Sequence, residues 1–313
     1  MKSRRDFIKQ ASILIGGGVV APNLLPSCTV IHNHTHTHTH LYANDPTSQV
    51  GAVKSSKYVG LQLYSLRDMV NDEGIEKVLQ AVAKMGYTNL ETAAYNDGKF
   101  YGKAPTELKK MAEDLGMKLT SSHLNRNISS DKDADMAWWD KATEAHNAAG
   151  MKYMVVPMSP LTGEAATLDN VKRYCDYYNA IALVTAGQSI QFGYHNHAFE
   201  FEGKINGKSV YDHMLELTSP RHVMFQLDVY WIKKGGYDPV DYMRRFADRI
   251  KILHIKDVKA IGVHNFVDFK AIFNQAYANG IKDWFVEVEE YDGTPQEDVA
   301  KSANYLINAA FTK

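Results

Sequence analysis

The chain has 313 residues, 45% of them hydrophobic and 23% charged, with 35 Lys+Arg against 36 Asp+Glu. That balance excludes disordered, fibrous and multi-span membrane classes, and it allows one large domain with a sizeable core. The missing basic excess removes the electrostatic case for nucleic acid as a partner. Two cysteines, Cys28 and Cys175, supply neither a disulfide framework nor a cysteine zinc site.

In chain order, Ser3-Arg4-Arg5-Asp6-Phe7-Ile8-Lys9 is followed by a weakly apolar, Gly-containing stretch from Ala11 to Leu25. The stretch is too short for a stable membrane span, and the order of its parts is that of a twin-arginine export signal. Leu25-Pro26-Ser27-Cys28 resembles a lipoprotein box. The expectation is a signal peptide over 1–27 and a lipid anchor at Cys28 as the sole attachment to membrane. The mature chain is then expected in the periplasm or cell envelope. Over 28–57 the chain carries His32-Asn33-His34-Thr35-His36-Thr37-His38-Thr39-His40 and then a polar run with no period of 2 or 3.6. Such a stretch reads as a flexible linker that captures metal adventitiously and has no catalytic role.

From residue 58 short apolar runs alternate with longer amphipathic ones. Strands are predicted over 59–64, 88–91, 118–123, 153–157, 190–195, 223–228, 250–254 and 285–289, with helices such as 76–85, 105–115, 135–149, 170–186 and 239–246 between them. Asp238-Pro239 offers an N-cap before Pro at the first helical position. Thr294-Pro295-Gln296-Glu297 is a capping box. Gly86, Gly116, Gly150 and Gly187 each stand where a helix ends and a strand follows. Cys175 and the helically spaced Tyr174, Tyr177 and Tyr178 read as packing residues. Eight such units predict an α/β fold, a (β/α)8 TIM barrel forming a single domain over 58–313. A doubly wound open sheet is the alternative, but Tyr64-Ser65-Leu66-Arg67-Asp68 replaces the glycine-rich turn expected after its first strand.

Polar residues at strand C-terminal ends are the informative ones, because that end of a barrel carries the chemistry. In Ile190-Gln191-Phe192-Gly193-Tyr194-His195-Asn196-His197 the large apolar residues share the helix-facing side, which turns His195 and His197 into the mouth. The same alternation turns in Asp228, His254, Glu287 and Glu289. His195, Asp228, His254 and Glu287 are spaced by 33, 26 and 33 residues, each close to one βα unit. Two imidazoles and two carboxylates at one level predict a single divalent metal ion, Mn²⁺ favoured, with Zn²⁺, Co²⁺, Fe²⁺ or Mg²⁺ possible. An ion-pair cluster with Lys256 as counter-charge is the purely structural alternative. His123, His197, Lys256 and Glu289 are the candidate catalytic bases, Lys256 and His123 foremost, and a nearby cation is expected to lower the pKa of Lys256. Glu91, His197, Tyr230, Trp231 and Glu289 are candidate substrate contacts, with Tyr64 a further stacking surface.

The segments Gly60-Leu61-Gln62-Leu63-Tyr64-Ser65-Leu66-Arg67-Asp68, Phe225-Gln226-Leu227-Asp228, His254-Ile255-Lys256-Asp257 and Phe285-Val286-Glu287 resemble the sugar phosphate isomerase/epimerase family, with its xylose isomerase-like barrel. The resemblance covers about residues 58–310 and implies one metal held by Glu, Asp, His and Glu from four strands. Asp228, His254 and Glu287 match three of these, and His195 occupies the place of the first Glu. Glu287 then also flanks the reacting carbon as a catalytic residue. Trp231 stands where many relatives have a substrate-binding His, and Ala260 where some have an Arg. The implied activity is a metal-dependent isomerase or epimerase on a non-phosphorylated sugar or keto-sugar, by proton abstraction α to a carbonyl. The alternative is a lyase or dehydratase acting on 3-keto-glycosides or inososes by β-elimination. A non-catalytic sugar-binding lipoprotein stands as a third reading. An apurinic endonuclease, the hydrolase cousin, is disfavoured by charge and by Gln62 and Glu91 on the first strands.

Overall fold

The computed structural model describes residues 57–313. The expected export signal, the Cys28 anchor and the His-rich linker, apart from residue 57, lie outside the described residues. Among those residues, eight parallel strands close into a barrel in the order β1-β8-β7-β6-β5-β4-β3-β2. They are β1 (Gly60–Gln62), β2 (Asn89–Thr92), β3 (Lys118–His123), β4 (Tyr153–Val156), β5 (Gln191–His195), β6 (Val223–Asp228), β7 (Ile250–Ile255) and β8 (Asp283–Val286). Each is followed by a helix of the outer ring: α1 (Ile75–Lys84), α2 (Pro105–Asp114), α3 (Lys132–Ala148), α4 (Leu168–Ala186), α5 (Val210–Leu217), α6 (Pro239–Arg245), α7 (Phe269–Ala278) and α8 (Pro295–Asn308).

Strands covered on both faces read as continuous apolar runs, and every residue of β6 is buried. Its outward Phe225 and Leu227 join the main core under the helices, whereas its inward Met224 meets Val155, Ile252 and Phe285 in a separate cluster inside the barrel. Two glycines make that interior possible. A Cβ on Gly193 would lie 2.7 Å from the Met224 sulfur, and one on Gly60 would lie 2.1 Å from the Trp284 carbonyl oxygen. The register of neighbouring strands shifts between Leu90 and Glu91 and between Phe225 and Gln226. Each irregularity falls just before a polar side chain of the site, and local bulging re-aims the residue that follows.

Caps fix the helices as the sequence implies. Asp238 accepts from the Val240 amide ahead of α6, and Thr294 and Glu297 complete the capping box of α8. The third helix begins earlier than expected, at Lys132, because Asp131 is its cap and Asp135 turns back to Arg126 (2.8 Å) and the Ser129 amide (2.7 Å). Gly187, the residue that caps the end of α4, keeps φ −60°, and the left-handed position falls instead on Ser189 at φ 63°. The first strand stops at Gln62, whose side chain caps a 3₁₀ turn over Leu63–Leu66, and the last stops at Val286, so Glu287 and Glu289 lie beyond it.

Candidate metal centre

Asp228 ends β6 and caps the short helix Val229–Lys234 that follows. Its Oδ1 accepts from the amides of Tyr230 (2.9 Å) and Trp231 (2.8 Å). Its Oδ2 is buried with no hydrogen-bond partner. On β7, directly beside it in register, His254 sets Nδ1 3.9 Å from Asp228 Oδ2 and 3.4 Å from Glu287 Oε2. On the other side of its ring, Nε2 lies 2.5 Å from Glu91 Oε2. From β5, His195 sets Nδ1 3.1 Å from Gln226 Oε1. One ligand atom from each of His195, Asp228, His254 and Glu287 falls within 4.8 Å of all the others, and all four residues are buried. His123 joins His195 and His254 in a second, overlapping group, its ring stacked on His254 at 4.9 Å.

The donor set fits a divalent cation on two counts. Within the set, the buried atoms left without partners, Asp228 Oδ2 and His254 Nδ1, are those turned toward each other, and a buried polar group without a partner costs ~1–3 kcal/mol. Electrostatics tell the same story. Burial pushes the Asp228 carboxyl up to about 7, against the opposing pull of Lys256 and His254. Burial also opposes charge on His254, but Glu91 and Glu287 outweigh it and raise the imidazole to about 10. Glu287 is held well below the usual carboxylate range by Lys256 and His254 despite its burial. A cation among these groups would relieve Asp228 and replace the Nδ1 proton of His254.

Other residues singled out from sequence gather around the same mouth. Lys256 is 2% exposed and pairs with Glu287 (3.2 Å) and Glu289 (2.5 Å). These carboxylates outweigh burial and hold it above its ordinary value, so Lys256 stands as a proton donor. His123 is neutral by burial and hands Nε2 to Gln226 Oε1 at 2.7 Å. His197 is half-buried, and burial pushes it down to about 3. Its Nδ1 and the Trp231 Nε1 have no partner, and their rings lie 5.5 Å apart. Tyr230 packs its ring 4.9 Å from Trp231 and 5.5 Å from Phe266. Glu91 is the correction. Expected as a substrate contact, it is fully buried beneath the ligands, both oxygens filled by protein donors. Sequence reasoning missed Gln226 and Ser121, yet each lies two residues before a residue it named, Asp228 and His123, on the same inward face.

Comparison with known proteins places this geometry. Residues 79–309 match the family model of the xylose isomerase-like TIM barrel. A sugar phosphate isomerase/epimerase from Parabacteroides distasonis is 40% identical over 82% of this chain and 100% of its own, with a TM-score of 0.75. A second of that description from the same organism is 35% identical, covering 84% and 100%, also at 0.75. The inosose dehydratase of Geobacillus kaustophilus is 25% identical over 59% of this chain and 62% of that protein. The chain thus spans about three-fifths or less of the length of the curated relatives it matches.

Proposed function

This chain belongs to the xylose isomerase-like TIM barrel family, and from that premise we propose a metal-dependent carbon–oxygen lyase that dehydrates a polyhydroxylated ketone. His195, Asp228, His254 and Glu287 would hold the cation. Bound there, it supplies Lewis-acid polarisation of the substrate carbonyl, which acidifies the neighbouring C–H. The observation that carries the reading is the Lys256–Glu289 pair at 2.5 Å, at the rim of the ligand group. Glu289 accepts the α-proton as the carbon–carbon double bond forms and the β carbon–oxygen bond breaks. Lys256 gives its proton to the departing hydroxyl, which leaves as water. The proton on Glu289 then crosses the short bond to Lys256, and the pair is restored. General acid–base help of this kind contributes ~10²–10⁴-fold. His197 Nδ1 and Trp231 Nε1, left without protein partners, would hydrogen-bond substrate oxygens, and Tyr230 would border the sugar face.

Elimination is favoured over epimerisation by His195. A two-carboxylate relay needs a second proton carrier across the carbon, and burial holds this imidazole well below its ordinary pKa. The curated relatives at 23–26% identity are inosose dehydratases, which supports the same choice. The isomerase or epimerase outcome is the second reading, favoured by the 40% identity to the Parabacteroides distasonis protein. Incubation of metal-loaded protein with inososes and 3-keto-glycosides in D₂O separates them. Loss of water or release of the aglycone supports the lyase, whereas α-deuteration with an intact skeleton refutes it.

The proposal extends to place. Export through the twin-arginine segment and acylation at Cys28 would put the enzyme at the cell envelope, where unphosphorylated sugars are the available substrates. Acyl labelling of the wild type that is abolished by Cys28→Ser supports the anchor, and equal labelling of both refutes it.

A further inference from the structure

Five side chains converge on Glu91, a carboxylate that reaches neither solvent nor the mouth. Oε2 accepts from His254 Nε2 (2.5 Å) and Gln62 Nε2 (2.8 Å), with His123 Nε2 at 3.3 Å. Oε1 accepts from Ser121 Oγ (2.6 Å) and Gln226 Nε2 (2.9 Å). A carboxylate has about four lone-pair sites, so this one has none left for substrate or cation. A buried charge so fully satisfied serves either the core or a neighbour, and the direction of its contacts decides which.

The shortest contact goes to the nitrogen of His254 that faces away from Asp228 and Glu287. With the Nε2 proton held by Glu91, Nδ1 is the nitrogen that faces those carboxylates, where a cation would take the place of its proton. A second chain of bonds reaches the other imidazole. Gln226 gives its amide N–H to Glu91, which leaves its oxygen for His195 Nδ1 (3.1 Å) and His123 Nε2 (2.7 Å). His195 must then donate from Nδ1, and its free lone pair is on Nε2. The amide can take no other orientation while Glu91 is ionised, since a carboxylate only accepts.

We propose that Glu91 is a positioning residue that sets the tautomers of both imidazole ligands, His254 directly and His195 through Gln226, so that Nδ1 of one and Nε2 of the other are presented to a divalent cation. This rests on the reading of His195, Asp228, His254 and Glu287 as a cation site. Partners of this kind, placed behind metal-bound imidazoles, typically contribute about 10–100-fold in metal affinity.

The test uses full-length protein and Co²⁺ as the probe, followed by its visible absorption. The signal that His254→Ala removes is taken as the site, because the His32–His40 tract is common to every variant. Glu91→Gln keeps the volume but cannot accept at both oxygens, and it is expected to weaken site binding by about 10–100-fold. Glu91→Asp restores the charge and is expected to recover part of the loss, which a purely volumetric role would not give. Nitrogen-15 histidine spectra of the Zn²⁺-loaded wild type provide a readout independent of any variant's folding. The expected protons are on Nε2 of His254 and Nδ1 of His195. Wild-type affinity in Glu91→Gln, or coordination of His254 through Nε2, overturns the inference and leaves the cation site standing. Identical Co²⁺ spectra for wild type and His254→Ala overturn the cation site itself.

Discussion

Glu200 sits behind the site, in the short helix Phe199–Glu202 after β5, and its environment predicts an unusual pH dependence of stability. The side chain is fully buried. Oε1 accepts from the Tyr194 hydroxyl at 2.6 Å and Oε2 from the His197 amide at 2.8 Å, and among the described residues no basic side chain pairs with it. Burial pushes the carboxyl up to about 8, whereas an unfolded glutamate titrates near 4.3. Between those values the folded protein holds one proton more than the unfolded chain, so stability falls as pH rises, by ~1.4 kcal/mol per unit. The full span is about 5 kcal/mol, complete above pH 8 and absent below pH 4. Glu200→Gln keeps an acceptor for the His197 amide and never ionises. Urea unfolding of both proteins in chelator, from pH 5 to 9, is expected to give similar stabilities at pH 5 and a variant more stable by ~3–5 kcal/mol at pH 9. Groups titrating elsewhere cancel in the difference. Parallel stability curves across the range would refute the buried, proton-bearing carboxyl.

Three further substitutions separate roles that share residues. Asp228→Asn keeps an acceptor for the Tyr230 and Trp231 amides but loses the charge, so Co²⁺ binding at the site should be lost with the metal-free fold intact. Asp228→Ala should lose both, and chemical unfolding should find it ~1 kcal/mol less stable than the Asn variant; equal stabilities would deny the cap. Lys256→Met should lower turnover by ~10²–10⁴-fold while cation uptake persists, and unchanged turnover would remove Lys256 from the chemistry. Phe285→Ala opens the apolar plug inside the barrel and should cost ~3–5 kcal/mol in denaturant unfolding without moving any ligand.

Much of this was legible in the sequence because a buried parallel strand leaves few choices. A run such as Val223-Met224-Phe225-Gln226-Leu227-Asp228 tolerates polar residues on one face only, and a polar residue there must have something to bind. The alternation that pointed Asp228 inward points Gln226 inward as well. It was overlooked because an amide carries no charge to draw attention. Glu91 was recognised as a polar strand-end residue and given the wrong neighbour. Its direction depends on the register shift beside it, between Leu90 and Glu91, and no period-two count registers a bulge. The same holds for strand ends. Gln62 stops β1 by bonding its oxygen to the Tyr64 amide (3.0 Å), a side-chain act that the apolar pattern 59–64 conceals. For Lys256, what the sequence does not show is that Glu287 and Glu289 both reach it.

The strands that build the site share a stratified code, and it explains why the chemistry sits where it does. Steps of two residues along β6 read Met224, Gln226, Asp228; along β7 and just past it, Ile252, His254, Lys256; along β8 and beyond, Phe285, Glu287, Glu289. Each series begins with an apolar residue and ends with a charged one. The apolar residues Val155, Met224, Ile252 and Phe285 form one cluster within the barrel, which keeps water from entering below. Above it the carboxylate of Glu91 accepts from the amides of Gln62 and Gln226, which ties this layer together internally. Four buried atoms around the mouth lack a protein partner, Asp228 Oδ2 and His254 Nδ1 among the ligands and His197 Nδ1 and Trp231 Nε1 beside them. A barrel stabilised for its own sake would gain nothing from leaving these four unpaired around one mouth. Their convergence is the physical reason to place cation and substrate there, and to regard the Glu91 layer beneath as the means of aiming the ligands.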